Sequence, residues 1–338
     1  MEFPFLRIYG VTDHAMLHSP MIKCPLLVAI VFLLSFQAAF GYGNAGHQVV
    51  GDIAEVYLKN TRAEKEVKAL LLPGEDLARA ATWADRAKLP DKYLNDEMKG
   101  FVANNPSHHS YHYCDVPFQQ TAYRDGLTGT RKDDIVHTLR ACIEVLQSPN
   151  AAPQNPLSIN KRVALMLIVH YMGDLHQPLH VGCSYVDDRN HFVDPETGAK
   201  GQPDAGANNF RLTTRTSLHG YWDTQTVKLA RDHAGTEDFK TFIISHSPMQ
   251  PAWKATGPVV SWPAQWATDT LHEAKHCFEG ITLGNRFVVP KDDKHDEHFE
   301  WAVTLQSNYD EKARDIVEIE LAKAGYRLAT LLKAIWPD

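Results

Sequence analysis

The stretch from His170 to His180, HYMGDLHQPLH, directly follows the apolar run VALMLIV. A buried imidazole or carboxylate is costly unless it is paired or bound to a metal, so this placement asks for a partner. His170 and Asp174 lie four residues apart and share one face of a helix. Pro178 cannot continue that helix and biases Gln177 toward an extended conformation, so the chain turns and His180 swings back toward the same point. A divalent cation would satisfy all three. A lone histidine is more often a hydrogen-bonded core or surface residue. A His-x-x-x-Asp pair in an otherwise apolar helix has few other partners and favours a metal. The pattern recurs as His219 and Asp223 in TSLHGYWDTQTV. Asp85 in ATWADRAK, His112 in HHSYHYCDVP and His47 in YGNAGH add donors of the same kind. Imidazole and carboxylate without convergent thiolates is the donor set of a hydrolytic zinc site rather than a cysteine-rich structural one.

These residues need a scaffold to bring them together. Helical periodicity dominates in AGHQVVGDIAEVYL, KDDIVHTLRACIEVLQ, INKRVALMLIVHYMGDLH and the stretch from Asp310 to Ile335, and runs of strict alternation are scarce. The polar segment from Cys183 to Ala207 reads as a loop excursion. No repeat, low-complexity tract or break in composition marks a second domain. The expectation is an all-α fold: a single, mainly helical domain over residues 42–338.

The chain has 338 residues, 44% hydrophobic and 22% charged, which is enough for a large core. A net charge of -7 gives no broad cationic face, so a nucleic-acid partner would have to be gripped locally. Lys23, the apolar stretch from Pro25 to Phe36 and the small residues after it have the layout of a secretory leader. Cleavage after Gly41 would leave Tyr42 as the mature terminus of a secreted protein, with residues 1–41 removed. A membrane anchor is the alternative, but the run falls short of the roughly 20 residues a span needs. Met21 is a second candidate start. Cys114, Cys142, Cys183 and Cys277 would remain after cleavage and allow two disulfides, with the pairing left open.

The segments YGNAGH, WADRAK, SYHYCDVP, HYMGDLHQPLHVG, GAN and LHGYWD stand in an order that resembles the S1/P1 nuclease family, secreted zinc-dependent single-strand nucleases related to zinc phospholipases C. The resemblance runs from Tyr42 through at least Val227. It implies three zinc ions in a cleft of a mostly helical fold. It also implies nine ligating residues: Tyr42 through its amino group and carbonyl oxygen, His47, Asp85, His112, His170, Asp174, His180, His219 and Asp223. His180, His219 and Asp223 would form one set; the others would divide between two ions with an aspartate shared. The family normally begins with Trp where this chain has Tyr42, and usually has Gly-Gly-Asn where this chain has Gly206, Ala207 and Asn208.

The resemblance further implies phosphodiester hydrolysis in single-stranded DNA and RNA to 5′-phosphate products, with 3′-nucleotides as additional substrates, by a monomer. Asp85 would bind metal and orient water, and Lys88 would stand near the scissile phosphate. Tyr113 would stack a nucleobase, with Asp115 and Asn208 hydrogen-bonding it. His108, His109 and His176 are read as structural. Three divalent ions would add about six positive charges at one point, in place of a basic stripe. A phospholipase C on the same scaffold is the alternative, although that branch usually ends its ligand set with Glu where this chain has Asp223. A zinc-binding protein without catalysis is another, but it gives Lys88 and the base-site residues no role.

Overall fold

The computed structural model describes residues 42–150, 154–292 and 296–338. The leader expected over residues 1–41 lies outside them. The fold is mainly helical, as expected. Its centre is the apolar run that precedes the His-Asp pair. Seven helices matter for the site: α1 (Gly43–Leu58), α2 (Trp83–Arg86), α3 (Ile135–Gln147), α4 (Lys161–Asp174), α5 (Thr226–Ala234), α6 (Trp262–Cys277) and α7 (Tyr309–Ile335).

Helix α4 is buried without interruption from Val163 to Asp174, the behaviour of a helix that is apolar on all sides. Asn160 fixes its start by accepting from the Val163 amide. Asp134 does the same for α3 through Val136 and His137. Helices α1, α3 and α7 pack around α4, with α7 lying across α1 at a close crossing. A Cβ on Gly325 of α7 would come 2.5 Å from the Ile53 side chain of α1, so only glycine permits the approach.

Buried charge ties α7 to the segment that follows α4. Lys323 pairs with Glu320 at 2.7 Å and with Asp269 of α6 at 3.0 Å. Arg327 bonds Asp269 at 2.8 Å and donates to Nε2 of His176 at 3.0 Å. His176 in turn donates from Nδ1 to the Met172 carbonyl at 2.7 Å, so its ring bridges α7 and the end of α4.

The β structure is slight apart from one hairpin. Strands β1 (Val116–Pro117) and β2 (Gly182–Cys183) pair in parallel, tying the chain just beyond His112 to the chain just beyond His180. The segment read as a loop excursion carries a small sheet of β3 (Tyr185–Val186), β4 (Phe192–Val193) and β5 (Gln202–Pro203). Strand β6 (Phe210–Arg211) pairs with β8 (His298–Leu305), which forms an antiparallel hairpin with β7 (Ile281–Val289). A register shift between Leu283 and Arg286 breaks the alternation of β7, whereas β8 alternates strictly through Phe299, Trp301, Val303 and Leu305, a strand signal that the helical reading passed over. Phe210, Trp222, Phe278 and Trp301 form a second core beneath it.

The disulfides allowed by the cysteine count are absent among the described residues: Cys114, Cys142, Cys183 and Cys277 are buried free thiols. Cys114 donates to the Val181 carbonyl and Cys183 to Asp204, while Cys142 packs within α3, so each has its own environment. Burial pushes all four thiols up, away from reactive thiolate. No helix among the described residues is long and apolar enough to cross a membrane.

The α1–α7 crossing gives a stability test. Gly325→Ala is expected to destabilise the protein by about 1–3 kcal/mol through overpacking against Ile53, despite the better helix propensity of alanine. Gly100→Ala, in the helix Asp96–Asn104 with nothing within 4 Å of the new methyl, is expected to be neutral or stabilising. Urea denaturation midpoints compare the two.

Candidate metal centre

Six segments deliver the donors. Helix α1 brings His47 from its first turn and α2 brings Asp85. The 3-10 turn His108–His112 ends in His112, and the last turns of α4 carry His170 and Asp174. The 3-10 turn Pro178–His180 returns His180 toward α4, as the proline break requires. His219 sits in the helical turn Leu218–Gly220 and Asp223 in the π-helical turn Tyr221–Gln225 that follows. All eight side chains are buried.

They meet in three groups: His47, His170 and Asp174; Asp85, His112 and His170; His180, His219 and Asp223. Donor atoms within the groups are mostly 3 to 4 Å apart. His47 Nε2 is 3.2 Å from Asp174 Oδ1, and His170 Nε2 is 3.0 Å from Asp174 Oδ2 and 3.6 Å from Asp85 Oδ1. His219 Nε2 lies 3.3 Å and His180 Nε2 3.7 Å from the Asp223 carboxylate. Ligands about 2.0–2.1 Å from a tetrahedral zinc stand roughly 3.3 Å from one another, so these spacings suit a shared cation. Asp174 reaches both of the first two groups, its Oδ2 lying 2.8 Å from His112 Nδ1.

The outward-facing atoms orient the inner ones. His170 Nδ1 donates to the Ala81 carbonyl at 2.6 Å, His180 Nδ1 to that of His112 at 2.9 Å, and His219 Nδ1 to that of Gly206 at 2.7 Å. Each of these rings therefore presents an unprotonated Nε2 inward when neutral, the tautomer a metal requires. Both His47 nitrogens, His180 Nε2, Asp174 Oδ1, Asp85 Oδ2 and Asp223 Oδ2 are buried and make no hydrogen bond. Such orphaned atoms concentrated at one place are what a buried cation would complete. The donor set therefore fits zinc. Close packing fixes His47 further: its ring stacks on His170 at 4.0 Å between centroids, and a Cβ on Gly173 would come 2.6 Å from its Nδ1.

Sequence reasoning missed two supports. Gln177 donates from Nε2 to Asp223 Oδ1 at 2.7 Å while accepting from the Leu179 amide, linking two donor segments. Asp204 accepts from Ser184 Oγ at 2.6 Å and from the Ala207 amide at 2.9 Å, which shapes the loop that carries Gly206 and Asn208. Buried side chains of ordinary type in polar loops carry no periodic signal, so neither stood out.

Tyr42 lies at the head of α1, fully buried, with its hydroxyl donating to the His176 carbonyl at 2.5 Å and its own carbonyl accepting from Gly46. A Cβ on the next residue, Gly43, would lie 3.2 Å from the Asp223 carbonyl, so the head of α1 adjoins the third group. Lys88 Nζ is 2.8 Å from Asp85 Oδ1. Beyond His112, Tyr113 is half-buried, and Asp115 Oδ1 is buried without a hydrogen bond. A Cβ on Gly206 would lie 3.7 Å from that oxygen and 3.5 Å from His219 Nδ1, so Asp115 borders the third group. Asn208 is in the same loop, its amide donating to the Ala205 carbonyl at 2.9 Å.

Protonation follows from burial against local charge. Burial pushes His47, His112 and His219 down, toward the neutral form. Burial opposes charge on His180 as well, but Asp174 and Asp223 outweigh it and raise that ring to about 9. Asp174 and Asp85 outweigh it likewise for His170, which is raised. Asp174 is held well below the usual carboxylate range in spite of burial, by His170 and His180. Burial raises Asp115 to about 7, against the lowering effect of Arg131.

Residues 42–337 match the sequence profile of a family described as S1/P1 Nuclease. Curated relatives include Nuclease S1 of Aspergillus oryzae, 27% identical over 92% of this chain and 97% of that protein. Endonuclease 2 of Arabidopsis thaliana is 25% identical over 92% and 96%, and Nuclease P1 of Penicillium citrinum 24% identical over 87% and 97%.

In chelator-treated protein at neutral pH, His180 holds a proton, because Asp174 and Asp223 raise its pKa to about 9 against burial. Zinc must displace that proton, so its apparent affinity is expected to rise as pH is raised from 6.5 toward 9, by about tenfold per unit for the one proton released. Competition titration against a chromophoric chelator of known pH dependence measures this. An affinity independent of pH over that range contradicts the assignment.

Proposed function

The chain belongs to the S1/P1 nuclease family, and on that premise we propose that it is a zinc-dependent endonuclease cutting single-stranded DNA and RNA to 5′-phosphate products, with 3′-nucleotides as further substrates. The observation that carries the reading is the convergence of eight imidazoles and carboxylates, with orphaned buried atoms, into three groups of cation-binding spacing.

Each group would hold one ion, giving three. His180, His219 and Asp223 would hold one; Asp85, His112 and His170 the second, with Asp174 shared; His47 and Asp174 the third, joined by the amino group and carbonyl of Tyr42 once the leader is removed. Export by that leader would make the protein secreted, acting as a monomer. When bound, the zinc ions supply water activation and neutralisation of phosphoryl charge. Asp85 would both hold metal and orient a water for attack. Lys88, held beside Asp85, adds a cation for the non-bridging oxygens. Tyr113 offers a half-buried ring on which a base stacks, and Asp115 and Asn208 present polar atoms to that base. A base can reach such a ring only when it is out of a duplex, which gives the preference for single strands.

Active, correctly processed protein is expected to lose activity on single-stranded substrate on chelation and to regain it with zinc, and to leave duplex DNA largely intact. His170→Ala removes a donor of the second ion's set and is expected to lower kcat/KM by at least about a thousandfold, the scale seen when catalytic constellations lose a member. Near-normal hydrolysis by that variant would refute the reading. A form carrying extra residues ahead of Tyr42 is expected to retain less zinc by elemental analysis than the form that begins at Tyr42. Equal zinc content in the two would remove Tyr42 from the ligand set.

A further inference from the structure

Arg131 lies in the loop that leads to α3, far in sequence from the donor segments, yet its guanidinium carbon stands 4.8 Å from the Tyr113 ring centroid. The group is anchored on the chain around that ring. Its terminal nitrogen donates to the Ser110 carbonyl at 2.7 Å and to the Tyr113 carbonyl at 3.4 Å, and Nε is 3.5 Å from Asp133. Its backbone is held too, since the Arg131 amide donates to Asp134 at 3.2 Å, the carboxylate that caps α3. The planar fork of an arginine can meet carbonyl and carboxylate partners and still lie over an aromatic face, which a lysine cannot do as well.

A tyrosine ring has two faces, and Arg131 occupies one of them. A base arriving at Tyr113 is thus confined to the opposite face, and the ring it meets is already immobilised, so less ordering remains to be done on binding. We propose that Arg131 is a positioning residue for the nucleobase, closing the rear face of Tyr113 so that the base stacks on the other. This rests on the reading of Tyr113 as the base platform. The guanidinium also favours the ionised form of Asp115, which keeps a hydrogen-bond acceptor beside the same platform.

The effect is confined to substrates that carry a base. Kinetics of the zinc-loaded protein on single-stranded oligodeoxyadenylate and on an abasic (tetrahydrofuran) oligonucleotide, a phosphodiester strand without a base or any aromatic ring, separate it from a general structural role. Arg131→Met is expected to raise KM for the oligonucleotide about tenfold with kcat changed less than twofold, and to leave hydrolysis of the base-free diester unchanged. Arg131→Lys is expected to recover part of the loss. It also keeps the test available should the methionine variant fold poorly, since it too should affect only the base-bearing substrate. Equal losses on both substrates, or an unchanged KM for the oligonucleotide, would overturn the proposal. Tyr113→Ala isolates the underlying reading. If it leaves KM for the oligonucleotide unchanged, the platform itself is wrong; if it raises KM while Arg131→Met does not, only the role of Arg131 fails.

Discussion

The constraint on which the rest of this structure depends is the cost of burying polar atoms without partners. Six segments from across the chain aim imidazole nitrogens and carboxylate oxygens at one another, away from water, and several of those atoms accept no hydrogen bond. Each such group left unmet costs on the order of a few kcal/mol, and an ionised carboxylate more. The protein alone offsets part of that cost, by holding Asp174 ionised against His170 and His180. The remaining buried donor atoms lie in three groups whose spacing suits a shared cation. A helical core that is otherwise tightly packed supplies the rigidity, because a site that could relax would pair these atoms with one another or with water.

Orientation of the donors draws on a resource that helical folds possess in surplus. Helix ends leave carbonyl groups without intrahelical partners. Ala81, at the C-terminal cap of the short helix Leu77–Ala80, gives its carbonyl to His170. His112, the last residue of its 3-10 turn, gives its carbonyl to His180, and Gly206, in a left-handed turn, gives its own to His219. One bond thus satisfies an orphaned acceptor and fixes a ring's tautomer and direction. Many short helices serve the centre better than a few long ones would, since each break offers both a change of direction and a free carbonyl. The parallel pairing of β1 with β2 then locks the His112 and His180 segments in register.

What could be read from the sequence was whatever is local. His170 with Asp174 and His219 with Asp223 announce themselves because four residues make one helical turn, and the first pair follows an apolar run that must be buried. Pro178 marks the turn that returns His180. The family resemblance, carried by six short segments, supplied the grouping of residues that local spacing could not give. The rest depends on contacts between distant positions. Gln177 and Asp204 are polar loop residues until the fold places them beside Asp223 and the Gly206 loop, and Arg131 is a surface cation until α3 docks its loop under Tyr113. In the hairpin of β7 and β8, the register shift interrupts alternation in β7 alone, while the alternating Phe299, Trp301, Val303 and Leu305 of β8 were a legible signal in one short run. The cysteine count suggested bridges, yet pairing requires proximity, and the fold gives each thiol a separate place.

Net charge bears on how such a centre meets a polyanion. At -7 the chain as a whole repels phosphates at a distance, so on the proposed reading attraction would be confined to the place where bound cations would gather. A field of that kind falls off within about a Debye length, roughly 8 Å at physiological ionic strength, and so cannot track a long backbone. Grip on the substrate must then come from something short-ranged and sequence-tolerant, and a stacked base meets both conditions. A duplex conceals its bases and so offers such a platform nothing to stack. On the proposed reading, the preference for single strands therefore has two sources that reinforce each other: a platform that needs an exposed base, and a net-negative chain whose bound cations would concentrate positive charge where the bond is cut.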